Sequence, residues 1–282
     1  MPVTPGLALA LFLATAAAYL VASVLFIGYL VGVSTGASWS RIAPRLLAVG
    51  AALHAAHIVV ASLVAHVCPV EGIHFAMSVV SLFACIAYLA LRTRWRIDVV
   101  GAFVAPLALT SLLASRFVGG GDVAPSPAVK SALLPLHVAI NMLGVALFCL
   151  ASGAAITYLV QEKQLKKKRL EGVFQRLPPL DSLDRAEHRL LLTSFPLLTI
   201  GIVTGSLWTK KIEIGGAFAL LHAAFGYSAW LICAGVLLLR AGAGWRGRRA
   251  AYGTIAGFGF TVLILLLYLL RPSSAGAVAM VP

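Results

Sequence analysis

Six of the seven histidines in this 282-residue chain, His54, His57, His66, His74, His137 and His222, fall within or beside long apolar runs, while His188 lies in a polar stretch. A neutral imidazole offers one ring nitrogen as a lone pair, so it can bind the iron of haem, copper or zinc. No Asp or Glu lies well inside the same runs. Proton pumps and cation-coupled carriers place carboxylates near mid-membrane, so that mechanism lacks its usual groups. His54 and His57 are three residues apart and share one helix face. At about 1.5 Å of rise per residue, His137 and His222 each lie roughly 6–8 Å from the same boundary of their runs. His54 and His57 sit deeper, roughly 12–16 Å from the opposite boundary. A stripe at heptad spacing, His74, Ser78, Ser81, Cys85 and Tyr88, must face a cavity or another helix rather than lipid. Every one of these side chains also has a plain structural alternative, a hydrogen bond to a neighbouring helix. Cys68, Cys85, Cys149 and Cys233 form no Cys-x-x-Cys pair, which removes the usual signature of thiol exchange, a paired-Cys zinc site or covalent haem attachment. They read as small packing residues.

The elements that must carry these residues are set by composition. Hydrophobic residues make up 61% of the chain and charged residues 11%, and the mean hydropathy is +0.98. A soluble domain carries about 25% charged residues, so a water-facing surface could not be covered. Eight runs can be read: Gly6–Val33, Leu46–Val67, His74–Leu91, Ile97–Ser115, Leu133–Val160, Leu190–Trp208, Ala217–Leu239 and Ala250–Leu270. Each suits a membrane-spanning helix of roughly 20 residues. The expectation is one all-α transmembrane domain over residues 1–282, a polytopic bundle of about eight helices. The first run has no Lys or Arg before it and is too long for a secretory signal core, so it reads as a retained helix.

Charge gives the orientation. Of the 22 Lys and Arg, 17 fall in the loops after runs one, three, five and seven and 5 on the opposite side. The positive-inside rule then puts both termini outside, with Trp39, Trp95 and Trp245 as inner anchors and Trp208 as an outer one. The formal net charge of +13 is therefore mostly topological. The Lys166–Arg169 run is expected to extend the fifth helix into the cytoplasm, with anionic lipid headgroups as counterions to the inner basic loops. No aromatic residues interleave with those charges, so nucleic acid is not an expected partner. Gly201-x-x-x-Gly205 and Gly253-x-x-x-Gly257 are read as helix-packing spacings, and Pro196 as a kink in the sixth helix.

Several stretches together carry a family resemblance. Leu136-His137-Val138 opens a helix that ends in Gln161-Glu162-Lys163-Gln164-Leu165, and Leu177-Pro178-Pro179-Leu180-Asp181-Ser182-Leu183-Asp184 follows. Next come Phe195-Pro196-Leu197-Leu198-Thr199-Ile200-Gly201, continuing as Ile202-Val203-Thr204-Gly205-Ser206-Leu207-Trp208, and then Gly244-Trp245-Arg246-Gly247-Arg248-Arg249-Ala250. In this order they resemble the CcsA/HemX/YpjD family of cytochrome c assembly membrane proteins, best over residues 120–270 and more weakly through Leu53-His54-Ala55-Ala56. The resemblance implies a bundle that handles haem through axial histidines. The haem-delivering CcsA branch carries a Trp-rich outer motif with Trp-Asp. The corresponding stretch Trp208–Gly216 has one Trp and no Trp-Asp, and no histidine follows Arg271. The chain is therefore more similar to the compact HemX/YpjD branch.

The functional expectation is a multi-pass protein of a bacterial-type inner membrane that holds or passes haem in cytochrome c biogenesis. It would not transform haem, so it is not expected to be an enzyme. Its partners would be haem and other cytochrome c maturation membrane proteins. His137 and His222 are expected as the outer ligand pair on haem iron, His54 as a deeper or transient ligand with His57 beside it. Lys210, Lys211 and Arg116 would meet the propionates. Helices two, five and seven should then line a common cavity. Two alternatives stay open: a membrane regulator of tetrapyrrole synthesis acting through the inner stretch Gln161–Arg189, and a small-solute transporter. The latter is weakened by the missing carboxylates and by the lack of an internal repeat. Reporter fusions should report Arg92–Arg96 and Lys163–Arg189 on the same, cytoplasmic side; opposite sides would overturn the topology.

Overall fold

The computed structural model describes residues 5–31, 37–65, 73–95, 98–117, 133–168, 178–209 and 217–269. Within them lie eight α-helices, as the hydrophobic runs require: α1 Pro5–Val31, α2 Ala37–Ala65, α3 Ile73–Trp95, α4 Gly101–Phe117, α5 Leu133–Lys166, α6 Leu180–Thr209, α7 Ala217–Ala243 and α8 Arg248–Leu269. A 3₁₀ turn, Asp98–Val100, leads into α4. Helices are the form in which an apolar segment satisfies its own backbone without water. Six of them, all but α3 and α4, are long and apolar enough to cross a membrane, and α4 holds a shorter apolar stretch, Gly101–Ala114. Outward-facing leucines agree with a lipid surround: Leu220 and Leu238 on α7 remain 72% and 71% exposed.

The helices group into two sets of four. α1 packs on α2 and α4, and α3 on α4 and α2; α5 packs on α6 and α8, and α7 on α8. The sets join chiefly where α3 meets α5, and one buried core containing Tyr19, Leu47, Cys85, Tyr88, Phe148 and Leu190 runs through both. The α6–α7 seam is much sparser than the α5–α6 seam, which matters for the site. Close approach of α5 and α6 depends on Gly201, where an added methyl would collide with the Asn141 amide, and on Gly144, where it would reach Leu197 Cβ at 3.1 Å. Gly257 likewise lets Phe148 and Ile232 meet α8, at 3.1 and 3.2 Å from the position of a methyl.

The stripe on α3 faces other helices. Ser78, Ser81, Cys85 and Tyr88 are all buried; the side chain of His74 lies outside the described residues. Cys85, Cys149 and Cys233 are buried free thiols, as packing residues should be; Cys68 lies outside the described residues.

The inner ends differ from expectation. Within the stretch read as a loop, Gln161–Lys166 and Leu180–Arg189 are helical. α5 runs on to Lys166 and then stops: the Lys168 N–H bonds the Leu165 carbonyl at 3.0 Å and Lys168 takes φ 53°. The basic run therefore ends the fifth helix instead of extending it. After Pro178-Pro179, α6 starts ten residues ahead of its apolar run, with Asp181 in the first turn beside the positive end of the helix. Its early turns bury Leu183, Ala186 and Leu190, and with them the carboxylates of Asp184 and Glu187.

Those two carboxylates tie three helices together. Arg240 in the last turn of α7 donates to Asp184 Oδ2 at 2.8 Å and to Glu187 Oε2 at 3.4 Å. Thr254 on α8 donates to Glu187 Oε1 at 2.6 Å, and the Gly247 N–H to Asp184 Oδ1 at 2.7 Å. Gly244 and Gly247 turn the chain from α7 to α8 at φ 67° and 60°, a region that side chains with a Cβ resist. His188, although it lies in a polar stretch of the sequence, is half-buried, and its Nδ1 has no hydrogen-bond partner among the described residues. Removing Arg240 would leave two buried carboxylates uncompensated. Arg240→Ala should therefore destabilise the bundle by roughly 3–5 kcal/mol, read as a lowered unfolding midpoint in detergent. An unchanged midpoint would show that the cluster does not hold α6, α7 and α8 together.

Candidate functional site

The membrane histidines fall into two separate environments. His54 on α2 is completely buried, and both of its ring nitrogens are engaged: Nδ1 with the Tyr19 hydroxyl on α1 at 3.1 Å, Nε2 with the Ser78 hydroxyl on α3 at 2.6 Å. Tyr19 also meets the ring edge-on, with centroids 5.6 Å apart. Iron ligation at His54 requires release of one of these partners. His57 turns toward α1 as well. Its Nδ1–H donates to the Ala8 carbonyl at 3.1 Å, and its ring tilts against Phe12 at 5.6 Å.

His137 and His222 share a different place. They line one cleft, with a cavity volume of about 210 Å³, built by α5, α6, α7 and α8. His137 is four residues into α5 and His222 five residues into α7, about 6 and 7.5 Å along their helices. Both histidines thus stand near the start of their helices and line the same cleft. The expectation that helices two, five and seven line one cavity does not hold: the lining comes from α5 to α8, because α2 packs on α1 and α3.

The cleft follows from the loose α6–α7 seam. On its α7 side the lining alternates large residues, His222, Tyr227 and Trp230, with the small Ala223, Gly226 and Ala229, which leave space between them. Opposite them stand Val145, Leu198 and Ile202, with Ile264 from α8. Deeper in, Trp230 stacks on Phe195 at 5.7 Å and donates its indole N–H to Thr199 Oγ1 at 2.9 Å. Tyr227 pairs with Ser206 across α6 and α7 at 2.9 Å. The result is a slot with apolar walls, a fixed aromatic floor and a few placed polar groups, the usual make-up of a ligand site.

A threonine sets the state of His137. Thr204 on α6 bonds the Ile200 carbonyl at 2.5 Å and lies 2.5 Å from His137 Nδ1. A hydroxyl has one proton; with that proton on the carbonyl, Thr204 accepts from Nδ1–H. The neutral ring then keeps its lone pair on Nε2, the form a metal ligand needs, with its second nitrogen fixed from outside. Gly205 lies against the same edge of the ring: a methyl there would sit 3.6 Å from Cε1 and 4.0 Å from Nε2. Gly205 thus lies beside the site, while the close helix approach falls on Gly201, and sequence reading missed the site position of Gly205 and Thr204. The signal was present as the Thr204-Gly205 step inside the quoted Phe195–Trp208 stretch. Lys210, Lys211 and His66 lie outside the described residues, as does the side chain of Arg116.

Among the described residues, no group of three or more His, Cys, Asp and Glu is placed to hold a metal ion. Two imidazoles do suffice for an iron that already carries four equatorial nitrogens. The donor set and apolar slot therefore fit haem better than a bare metal.

The protein family described as "Cytochrome C assembly protein" matches residues 67–273, a span that includes α3 to α8 and both cleft histidines, with His54 and His57 before it. The chain is 32% identical over 203 residues to a "Cytochrome c biogenesis protein CcsA" from Guillardia theta, covering 64% of this chain and 65% of that one. A CcsA protein from Heterosigma akashiwo is 29% identical over 234 residues, covering 69% and 71%. A "Protein HemX" from Brevibacillus brevis is 32% identical over 133 residues, covering 47% and 48%. The chain thus spans just under two thirds of the Guillardia theta relative.

The tautomer of His137 can be tested without any ligand. In protein labelled with ¹⁵N-histidine, His137 should carry its proton on Nδ1, and Thr204→Ser should preserve this. Thr204→Val removes the acceptor and should give a mixed or reversed tautomer. A valine variant with the wild-type spectrum would show that Thr204 does not set the ring.

Proposed function

The chain belongs to the cytochrome c assembly protein family, and on that premise we propose that it holds haem in the α5–α8 cleft, with His137 and His222 as the iron ligands. Family membership supports a role in cytochrome c maturation. The observation that carries the finer reading is the pairing itself: two histidines from different helices, each near the start of its helix, on one slot. When bound, haem would supply an iron that the imidazoles of His137 and His222 would hold. The chain's own residues do the rest. Thr204 holds the His137 ring with Nε2 available, Val145, Leu198 and Ile202 keep water from the slot, and the small residues of α7 leave room for a flat ring.

In this reading the protein is a carrier in a bacterial-type inner membrane rather than an enzyme, and it hands haem to, or receives it from, other maturation proteins in the same membrane. Lys210, Lys211 and Arg116 are the cations proposed for the propionates, and anionic lipids the counterions of the inner basic residues. His54 is proposed mainly as a brace among α1, α2 and α3, because both its nitrogens are occupied.

The test is an absorption spectrum of detergent-purified protein. A low-spin haem spectrum is expected, with most of it lost in His137→Ala or His222→Ala and partly restored by added imidazole. His188→Ala should change little. If removing both cleft histidines leaves the spectrum unchanged, the assignment is wrong and His54 with His57 becomes the better site.

A further inference from the structure

Side-chain bonds across the α6–α7 seam are graded along its length. At the inner end the Arg240 guanidinium holds Asp184 and Glu187 in charge-assisted bonds. Near the floor of the cleft, Trp230 combines its bond to Thr199 with a ring stacked on Phe195. Beside the cleft stands the Tyr227–Ser206 pair, at 2.9 Å. The Ser206 hydroxyl gives its one proton to the Ile202 carbonyl at 2.7 Å, so Tyr227 is the donor across the seam. A neutral hydroxyl pair is roughly half as strong as a charge-assisted bond. Of these three contacts, the one at Tyr227 is the easiest to part.

The part of α7 that precedes Tyr227 is also thinly packed. Leu220, Leu221, His222, Ala223 and Ala224 are all exposed. Five residues make more than one helical turn, so exposure there runs right round the helix. His222, Ala223 and Tyr227 line the cleft and are exposed as well, which means that the cleft opens at the surface along α7. The lining of α6 and α7 falls within two spans apolar enough to cross a membrane, Leu180–Ser206 and Leu220–Ala243. Val203, next to the lining residue Ile202, and Leu220, two residues before His222, are exposed apolar side chains. An opening at this level meets hydrocarbon rather than water.

We propose that the ligand enters and leaves the cleft sideways, from the bilayer, by parting α6 and α7 at the Tyr227–Ser206 bond. This rests on the haem reading of the cleft and adds the source of the ligand, which is haem already dissolved in the membrane. A flat, largely apolar ring suits that route, and the slot it enters has apolar walls. Because Arg240 stays clamped at the far end, parting the seam at Tyr227 leaves the rest of the bundle packed.

The test is loading of the full chain in proteoliposomes, followed by low-spin haem absorption, with three probes: free haem, haem esterified on one propionate with a long alkyl chain, and haem coupled to dextran. The alkyl ester is confined to lipid and should load; the dextran conjugate is confined to water and should not. Tyr227→Phe and Ser206→Ala should each speed loading and release of free haem together by about twofold to tenfold, the worth of one neutral hydrogen bond. The double variant should add nothing further, since both changes remove the same bond. Melting temperature checks that each variant is folded, and the probe comparison needs no variant. Loading of the dextran conjugate, or refusal of the alkyl ester while free haem binds, overturns the route and leaves the haem reading standing. Unchanged rates, faster release alone, or additive effects in folded variants overturn the role of the Tyr227–Ser206 bond. Failure of free haem itself to give a low-spin spectrum overturns the haem reading, and the route with it.

Discussion

A polar side chain inside a bilayer has no water to complete its hydrogen bonds, so each must find its partner within the protein or leave a group unpaired at a cost of several kcal/mol. That constraint organises the whole bundle. Tyr19, His54 and Ser78 answer it by bridging α1, α2 and α3. Asp184, Glu187, Thr254 and Arg240 answer it at the inner ends of α6, α7 and α8. In both clusters the hydrogen bonds run between helices and so tie their relative positions together. The His137–Thr204 contact obeys the same rule, with one ring nitrogen satisfied by a hydroxyl from α6.

The division of labour between the two sets of helices follows. In the first set a histidine with both nitrogens engaged acts as a brace, and the polar stripe of α3 is buried against neighbours. In the second, tight α5–α6 packing through Gly144 and Gly201 contrasts with the sparse α6–α7 seam. The clamp of Arg240 on Asp184 and Glu187 joins α6 and α7 at one end, so the seam can stay open at the other without the helices separating. The slot is thus a consequence of where the close-packing glycines and the ion cluster fall.

Much of this was legible in the sequence. Eight apolar runs gave eight helices, and the same runs placed His137 and His222 near the starts of theirs. The motifs from Leu136 to Ala250 pointed to the right family. What escaped was the partner of each polar group, since spacing within one helix says nothing about its neighbours. His54 looked like a deep ligand because Tyr19 and Ser78 are distant in sequence. The early turns of α6 looked like a loop because their charged residues precede the apolar run, and the partner of Asp184 and Glu187, Arg240, lies on another helix. Gly205 looked like a packing residue, and Thr204 drew no reading of its own, because their role depends on a ring from another helix.

The proposed haem site would put iron between α5 and α7. Anomalous diffraction at the iron absorption edge, from crystals of the haem-loaded protein, locates that atom directly. The account predicts a single strong peak within bonding distance of a ring nitrogen of His137 and of His222. A peak beside His54 and His57, with none in the α5–α8 cleft, would contradict it.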